Sequence, residues 1–480
     1  MTAADGGLVL GIDLGYSGAR AAVANVRAEV LAAGQRFPVP TRSSFGRAEQ
    51  DPADWLRAVE LAIRSALAGL DALRIEAIGI SALGPAPVLI DERLNPLTPA
   101  LLFGLDTRAE SERRRLAVAC GLGDDRLNHD HATPKLEWWR THEPELWSQA
   151  AWAVDAAGFL VGQLTGSPTM DTITLCDYTL NDYPCPLPLP PARDPLTIAG
   201  GLTGAWAART GLAAGTPVAV GTYDAYADTA AAGVLEVGDA CIVLGSTLII
   251  GVAADQVPED LRGLESAPHL GKGMLVGGWP ATGGSAISWA RRLIGLPETI
   301  SDDALEQAAR ALPPGASGLV FLPYLTGERS PVHDPAARGV LLGLTVETTP
   351  ATAYRAVVDG VALSVRDHLS RLSALELAPS VWRVTGGGTQ SQLLLQAISD
   401  ALRAPLEVVA DASAPIGPCR IALNAIGHRP AVVVAAVVEP STAHADRFDG
   451  LYDVYRSLYP ALSRAMHQLT EFDQTPGGRQ

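Results

Sequence analysis

A run of apolar residues that stops at a cluster of small ones and then resumes occurs twice in this chain. Leu8 to Asp13 reads as a strand, Gly15-Tyr16-Ser17-Gly18 as a turn, and Ala19 to Val26 as a returning strand. Cys241 to Leu244, Gly245-Ser246-Thr247 and Leu248 to Ala253 repeat the design. Two such hairpins, near positions 8–26 and 240–253, predict two related domains that each present one small-residue turn. The length of 480 residues agrees, because a single core rarely grows beyond about 250–300 residues. The junction is expected near Gly233 to Gly238, dividing the chain into residues 1–236 and 237–480.

Between the hairpins the pattern alternates. Asp51 caps a helix with Pro52 in its first turn and Trp55, Val59, Ile63 and Leu67 along one face. IEAIGISA and PVLIDE then read as short strands. Hairpin, helix, strands and further helices predict an α/β fold, a mixed sheet covered by helices. The Pro-rich stretch Tyr183 to Pro195 predicts a loop within the first domain.

Hydrophobic residues make up 48% of the chain, yet charges interrupt every apolar stretch before the roughly 18–20 residues a spanning helix needs. The opening MTAADGG lacks a basic region, so no signal peptide and no membrane are expected. With 36 Lys and Arg against 52 Asp and Glu, the formal charge of −16 argues against a nucleic-acid partner. The five cysteines form no CxxC pair, which predicts reduced thiols in a cytoplasm rather than a disulfide framework.

Four segments can carry chemistry. In GIDLGYSGAR, Asp13 ends a strand beside a turn whose amides can approach phosphate oxygens. A carboxylate there makes sense with Mg²⁺ between it and the phosphates; the alternative is an ordinary tight hairpin. LGST offers Gly245 and Ser246 for terminal phosphates, or is a plain hairpin. VWRVTGGGTQSQLLLQAISDAL runs from a strand through three glycines into a helix, which admits a flat ring or a phosphate, or serves as a packing turn. In GTYDAYADTAAAG, Asp224 can accept a proton from a substrate hydroxyl, or cap the Ala-rich helix that follows. No GxxxxGK[ST] occurs, so a P-loop is excluded.

Together and in order, these segments resemble the FGGY carbohydrate kinases, the xylulokinase-like members most of all. DLGYSGAR resembles the family's first phosphate motif, TPKLEWW its mid-domain helix, MDTITLCDYTLND its following strand region, LGST its second phosphate motif and VTGGGTQS its adenosine loop. The most specific match is GLVFLPYLTGERSPVHDPAARGVLLGL followed by ATAYRAVVDGVALSVRD. The resemblance implies two actin-like (ribonuclease H-like) domains around a central ATP and sugar cleft. It implies Asp224 as catalytic base and Asp13 as the residue positioning Mg²⁺. Gly15, Ser17, Gly18, Arg20, Gly245 and Ser246 would lie at the phosphates, and Gly387, Gly388 and Gln392 at the nucleotide. The partner implied is a sugar or polyol, and a homodimer is the assembly expected.

Some positions depart from the family. Tyr16 stands where Thr is usual, and Pro418-Cys419 follow Gly417 where Ala-Ala is usual. Ala82 to Pro87, ALGPAP, replaces the Gln-Met-His-Gly run of xylulokinases, and the Trp usual before Asp-x-Arg is missing while Asp106 and Arg108 remain as candidate sugar contacts or a structural ion pair. Two rivals follow: a catalytically weak or regulatory relative that binds nucleotide or sugar, and an actin- or chaperone-like ATPase.

Overall fold

The computed structural model describes residues 7–44, 46–122, 127–180, 183–271, 273–294, 302–379, 381–410 and 415–474. Two compact units emerge. The first comprises Met1–Leu235, Pro268–Lys272 and Asp411–Val433; the second comprises Glu236–Ala267, Gly273–Ala410 and Val434–Gln480. The chain thus passes from first to second at Leu235–Glu236 and later returns to the first, a return that a single division at 236/237 does not contain.

The first unit is built on a seven-stranded sheet. Leu8–Gly15 pairs antiparallel with Gly18–Asn25, which pairs antiparallel with Val30–Arg36. On its other side Leu8–Gly15 runs parallel to Ile75–Ala82, beyond which come Pro217–Ala219 and the antiparallel edge Ile198–Gly201. The strands read as nearly unbroken apolar runs because helices cover both faces. Leu8, Leu10, Ile12 and Leu14 face the helix Pro52–Ala66 through Trp55, Val59 and Ile63. Asp51 caps that helix by accepting from the Ala53 amide at 2.9 Å.

The opposite face holds Val9, Ala22, Ala24 and Ala77 against the helix Ile416–Ala425. The glycines explain how closely it sits: a Cβ on Gly79 would fall 1.9 Å from the Pro418 carbonyl oxygen, and one on Gly11 2.6 Å from the Cys419 amide. Cys419 donates to the Ala22 carbonyl at 3.4 Å. The unusual Pro418-Cys419 pair is therefore core of the first unit.

The second unit repeats the plan. Ala240–Leu244 pairs antiparallel with Leu248–Ala254, which pairs antiparallel with Met274–Gly278. Ala240–Leu244 also runs parallel to Trp382–Thr385, followed by parallel Leu406–Val409 and antiparallel Val434–Val438. Its core gathers around the 25-residue helix Pro350–Ala374, whose Gly360 lets it approach the Phe321 backbone.

One expectation changes form. MDTITLCDYTLND holds only a two-residue strand, Met170–Asp171, before the 3₁₀ turn Thr174–Tyr178. Asp171 Oδ1 accepts from the Ile173 and Thr174 amides, which curls the chain out of the extended state. Asn181 and Asp182 of that segment, and residues 1–6, lie outside the described residues.

Candidate active site

Strands of the first unit end side by side. Asp13 lies opposite Ser81 on the parallel strand Ile75–Ala82, and Ser81 lies opposite Thr222 on Thr222–Tyr223. The carboxyl ends of parallel strands are where ligands bind in open α/β sheets. Here that edge brings together Asp13, Ser81 and, two residues past Thr222, Asp224. Ser81 Oγ donates to Asp13 Oδ1 at 2.6 Å. Arg20, directly across the hairpin from Asp13, donates to Oδ2 from Nε at 3.0 Å and Nη2 at 2.6 Å.

Asp224 is the first residue of the helix Asp224–Ala231, and its Oδ1 accepts from the Ala225 amide at 2.8 Å. The cap position falls to Tyr223. Desolvation, then the charges of Asp13 and Asp228, push the Asp224 carboxyl up to about 8. Asp228 sits one helical turn on, with a side chain that still reaches solvent; partial desolvation and Asp13 raise it while Arg20 opposes. Sequence reading passed over Asp228, although the i, i+4 spacing in DAYAD places it on the face of Asp224.

Asp13, the strand-end carboxylate of this edge, is the hard oxygen donor that a divalent cation prefers. Among the described residues no group of three or more His, Cys, Asp or Glu is placed to hold a metal ion. A cation beside Asp13 would take its remaining ligands from phosphates and water, the usual habit of Mg²⁺.

The Gly15–Gly18 turn is tied back by its carbonyls. Tyr16 O accepts from Gln50 Nε2 at 2.8 Å and Ser17 O from the Val39 amide at 3.0 Å. In a trans peptide the N–H opposes the C=O, so the Ser17 amide is directed away from the body of the unit. A Cβ on Gly18 would fall 2.3 Å from the Arg36 carbonyl oxygen, so this glycine serves the packing of Val30–Arg36. The Tyr16 side chain is 45% exposed.

The second unit builds its turn by the same device. Gly245 O accepts from the Gly284 amide at 2.8 Å, and Ser246 O from the Gly283 amide at 2.9 Å and Ser285 Oγ at 2.7 Å. Trp382–Thr385, parallel to Ala240–Leu244, ends at the same edge and enters the 3₁₀ turn Gly387–Gln390. A Cβ on Gly388 would fall 2.7 Å from Leu244 Cβ, whereas one on Gly387 meets nothing within 4 Å. Gln392 opens the helix Gln392–Leu402 with its side chain exposed, and Ser391 caps that helix by accepting from Leu394.

Asp106 and Arg108 lie elsewhere in the first unit. Arg108 Nε and Nη2 donate to Asp106 Oδ1 at 2.8 Å and Oδ2 at 2.7 Å, and Nη2 also reaches Glu49 at 2.6 Å. Asp106 Oδ2 accepts the Ala48 amide as well, and Arg108 lies over the Trp138 ring. The geometry is that of a buried ion-pair network.

Ala82 to Pro87 is wholly buried. Its Ala86 amide donates to Asp155 Oδ1 at 2.5 Å, and a Cβ on Gly84 would fall 2.9 Å from Asp155 Oδ2. Burial pushes Asp155 up to about 7, with Asp171 adding to the effect. Asp155 stands at the N-terminal end of the helix Ala156–Thr165 but makes no side-chain cap bond, and supports this stretch instead.

The N-terminal domain model of the FGGY family of carbohydrate kinases matches residues 8–231, and the C-terminal domain model matches residues 240–425. The chain belongs to the FGGY family of carbohydrate kinases. A xylulose kinase of Escherichia coli (strain K12) is 29% identical over 418 residues, 82% of this chain and 84% of the relative. One of Bacillus subtilis (strain 168) is 26% identical over 492 residues, 94% of this chain and 96% of the relative. The crystal structure of a xylulose kinase from Rhodospirillum rubrum matches with a TM-score of 0.83 at 28% identity, covering 96% of this chain and 100% of that one. This FGGY kinase is xylulokinase-like, and its α/β units are those of the two-domain actin-like (ribonuclease H-like) fold. Among the described residues no helix is long and apolar enough to cross a membrane.

Proposed function

We propose that this FGGY kinase transfers the γ-phosphoryl group of ATP to a hydroxyl of a sugar or polyol, with Asp224 as general base. The supporting observation is the Asp224 carboxyl at the strand-end edge beside Asp13, pushed up to about 8. A base works best when its proton affinity lies near the working pH. Asp224 takes the proton of the attacking hydroxyl, whose oxygen bonds to the γ-phosphorus as ADP departs. The rest is positioning and electrostatics.

The outward amides of the Gly15–Gly18 and Gly245–Ser246 turns hold phosphate oxygens. Asp13 would hold Mg²⁺, which would supply positive charge to the phosphates. Gly387 and Gly388 leave room for the adenosine, with Gln392 beside it. Arg20 keeps Asp13 oriented. Asp106 and Arg108 brace the first unit and offer the substrate few unengaged polar atoms. The acceptor is a deoxy sugar, a shorter polyol, or a sugar turned differently from xylulose, because Ala82 to Pro87 carries no polar side chain. Five cysteines without a CxxC pair and a metabolite substrate suit a cytoplasmic enzyme.

The test is ADP release from MgATP across neutral ketoses, deoxy sugars and polyols. Stimulation by at least one acceptor is expected. Nucleotide binding without acceptor-dependent turnover across the whole panel would favour the catalytically weak relative.

A further inference from the structure

The Gly245–Ser246 turn is gripped from one short loop, residues 279–284. The Gly283 and Gly284 amides hold its carbonyls at 2.9 and 2.8 Å, and just beyond it the Pro280 carbonyl accepts the Leu248 amide at 3.2 Å. The loop itself carries two glycines, whose backbone freedom must be taken up by something else. What holds the loop therefore decides where the turn sits.

Two side chains of residues 328–330 hold it. Glu328 Oε1 accepts the Ala281 amide at 2.7 Å and the Arg329 amide at 2.9 Å. Ser330 Oγ accepts the Trp279 amide at 2.7 Å. Both side chains are themselves fixed. Glu328 and Asp334 exchange amide-to-carbonyl bonds at 2.9 and 2.8 Å. Ser330 Oγ lies 3.2 Å from His368 Nε2, while His368 Nδ1 lies 2.8 Å from the Ser364 carbonyl. A carbonyl only accepts, so Nδ1 carries the proton, Nε2 accepts from the serine, and the serine lone pairs are left for Trp279. Burial pushes the His368 imidazole down, which keeps it neutral. A Cβ on Gly278 would fall 2.0 Å from His368 Cδ2, so this glycine admits the ring.

Glu328 is 3% exposed, and its second oxygen, Oε2, is buried without a hydrogen-bond partner. Burial pushes this carboxyl up to about 7, against the pull of the Ala281 and Arg329 amides. An unpaired buried oxygen costs stability, so the benefit of the carboxylate lies in what its other oxygen holds.

We infer that Glu328, with Ser330 beside it, is a positioning residue for nucleotide binding: through the loop 279–284 it sets the Gly245–Ser246 turn where its amides meet phosphate oxygens. The inference rests on the reading of that turn as a phosphate site. Glu328 acts through the backbone, fixing the Ala281 amide two residues before the Gly283 amide that holds Ser246.

Hydrogen exchange and calorimetry on the full chain test this. Glu328→Ala removes the acceptor and should speed exchange of the Gly283 and Gly284 amides at least about 10-fold, while the amides of the strand Trp382–Thr385 stay protected. The same variant should weaken MgATP binding, measured without acceptor, at least about 10-fold and leave adenosine binding within about 2-fold. Glu328→Gln keeps a carbonyl oxygen for both amides and should restore MgATP affinity to within about 3-fold of the parent. Ser330→Ala should move both readouts in the direction of Glu328→Ala by a smaller factor. Unchanged exchange at Gly283 and Gly284 overturns the inference. So does a uniform rise in exchange across the second unit with adenosine and MgATP weakened alike, since that is loss of fold. Faster exchange at the two glycines with MgATP affinity intact overturns instead the phosphate reading of the turn, and with it the nucleotide role given to Glu328.

Discussion

The hairpin of the first unit and that of the second share a topology and differ in charge. In each, a first strand runs antiparallel to the next and parallel to a later one, and the turn between is held by its carbonyls. The first carries Asp13, Arg20 and Ser81 around its turn, with Asp224 on the neighbouring strand end. The second has a wholly apolar strand, ACIVL, and a turn held by the backbone before the helix Gly284–Ile294. On the proposed reading one architecture supports two tasks. Neutral amides can bind phosphate, whereas the proposed proton transfer needs a titrating group, and Asp224 lies in the first unit.

The sharpest way to break this contrast is Asp224→Asn, which keeps the shape and removes the base. It should lower kcat by at least about 100-fold, the scale of general-base contributions, while calorimetry finds MgATP binding nearly intact. Near-normal turnover would remove proton transfer from the first unit.

Next in size is the substrate wall. A sugar hydroxyl facing Ala82 to Pro87 loses water and gains no side-chain partner, a penalty of roughly 1–3 kcal/mol. D-xylulose should therefore have a kcat/KM about 5- to 150-fold below the best acceptor in the panel. If D-xylulose proves best, other groups, Asp155 first among them, supply those contacts.

The second unit is tested at its glycine turn. Gly387→Val projects into open space and should weaken MgATP binding about 10-fold, the scale of one misplaced contact of 1.4 kcal/mol, with an unchanged melting curve. Gly388→Val meets Leu244 and is expected to lower stability as well. Equal loss of stability in both variants would make this turn a packing element.

The sequence made the hairpins legible because small residues and apolar runs are local signals. Asp224 was visible for the same reason, within GTYDAYAD. What stayed hidden depends on long-range placement. Ser81 reaches Asp13 across a parallel pairing of residues far apart in sequence. The helix Ile416–Ala425 covers the first unit's sheet although it follows most of the second unit. Glu49 completes the Asp106–Arg108 network from the strand Arg47–Gln50. Asp155 supports Ala82 to Pro87 from a position far along the chain, through the Ala86 amide.

The smallest expected effect concerns stability and carries the contrast into pH. The Asp224 carboxyl is pushed from the usual range near 4 up to about 8. Between those values the folded chain holds a proton that the unfolded chain releases, so stability falls with rising pH. The contribution is fully present below the unfolded value near 4 and is lost as pH rises through about 8. Asn is neutral throughout and escapes that loss. Asp224→Asn should therefore melt higher than the parent at pH 8, and the gap should narrow toward pH 5. The neutral hairpin has no such carboxylate, so Ser246→Ala should show no comparable pH-dependent gap. A parallel offset at every pH would mean that Asp224 is not proton-linked to folding, and the same charge would then be a poor candidate for the base.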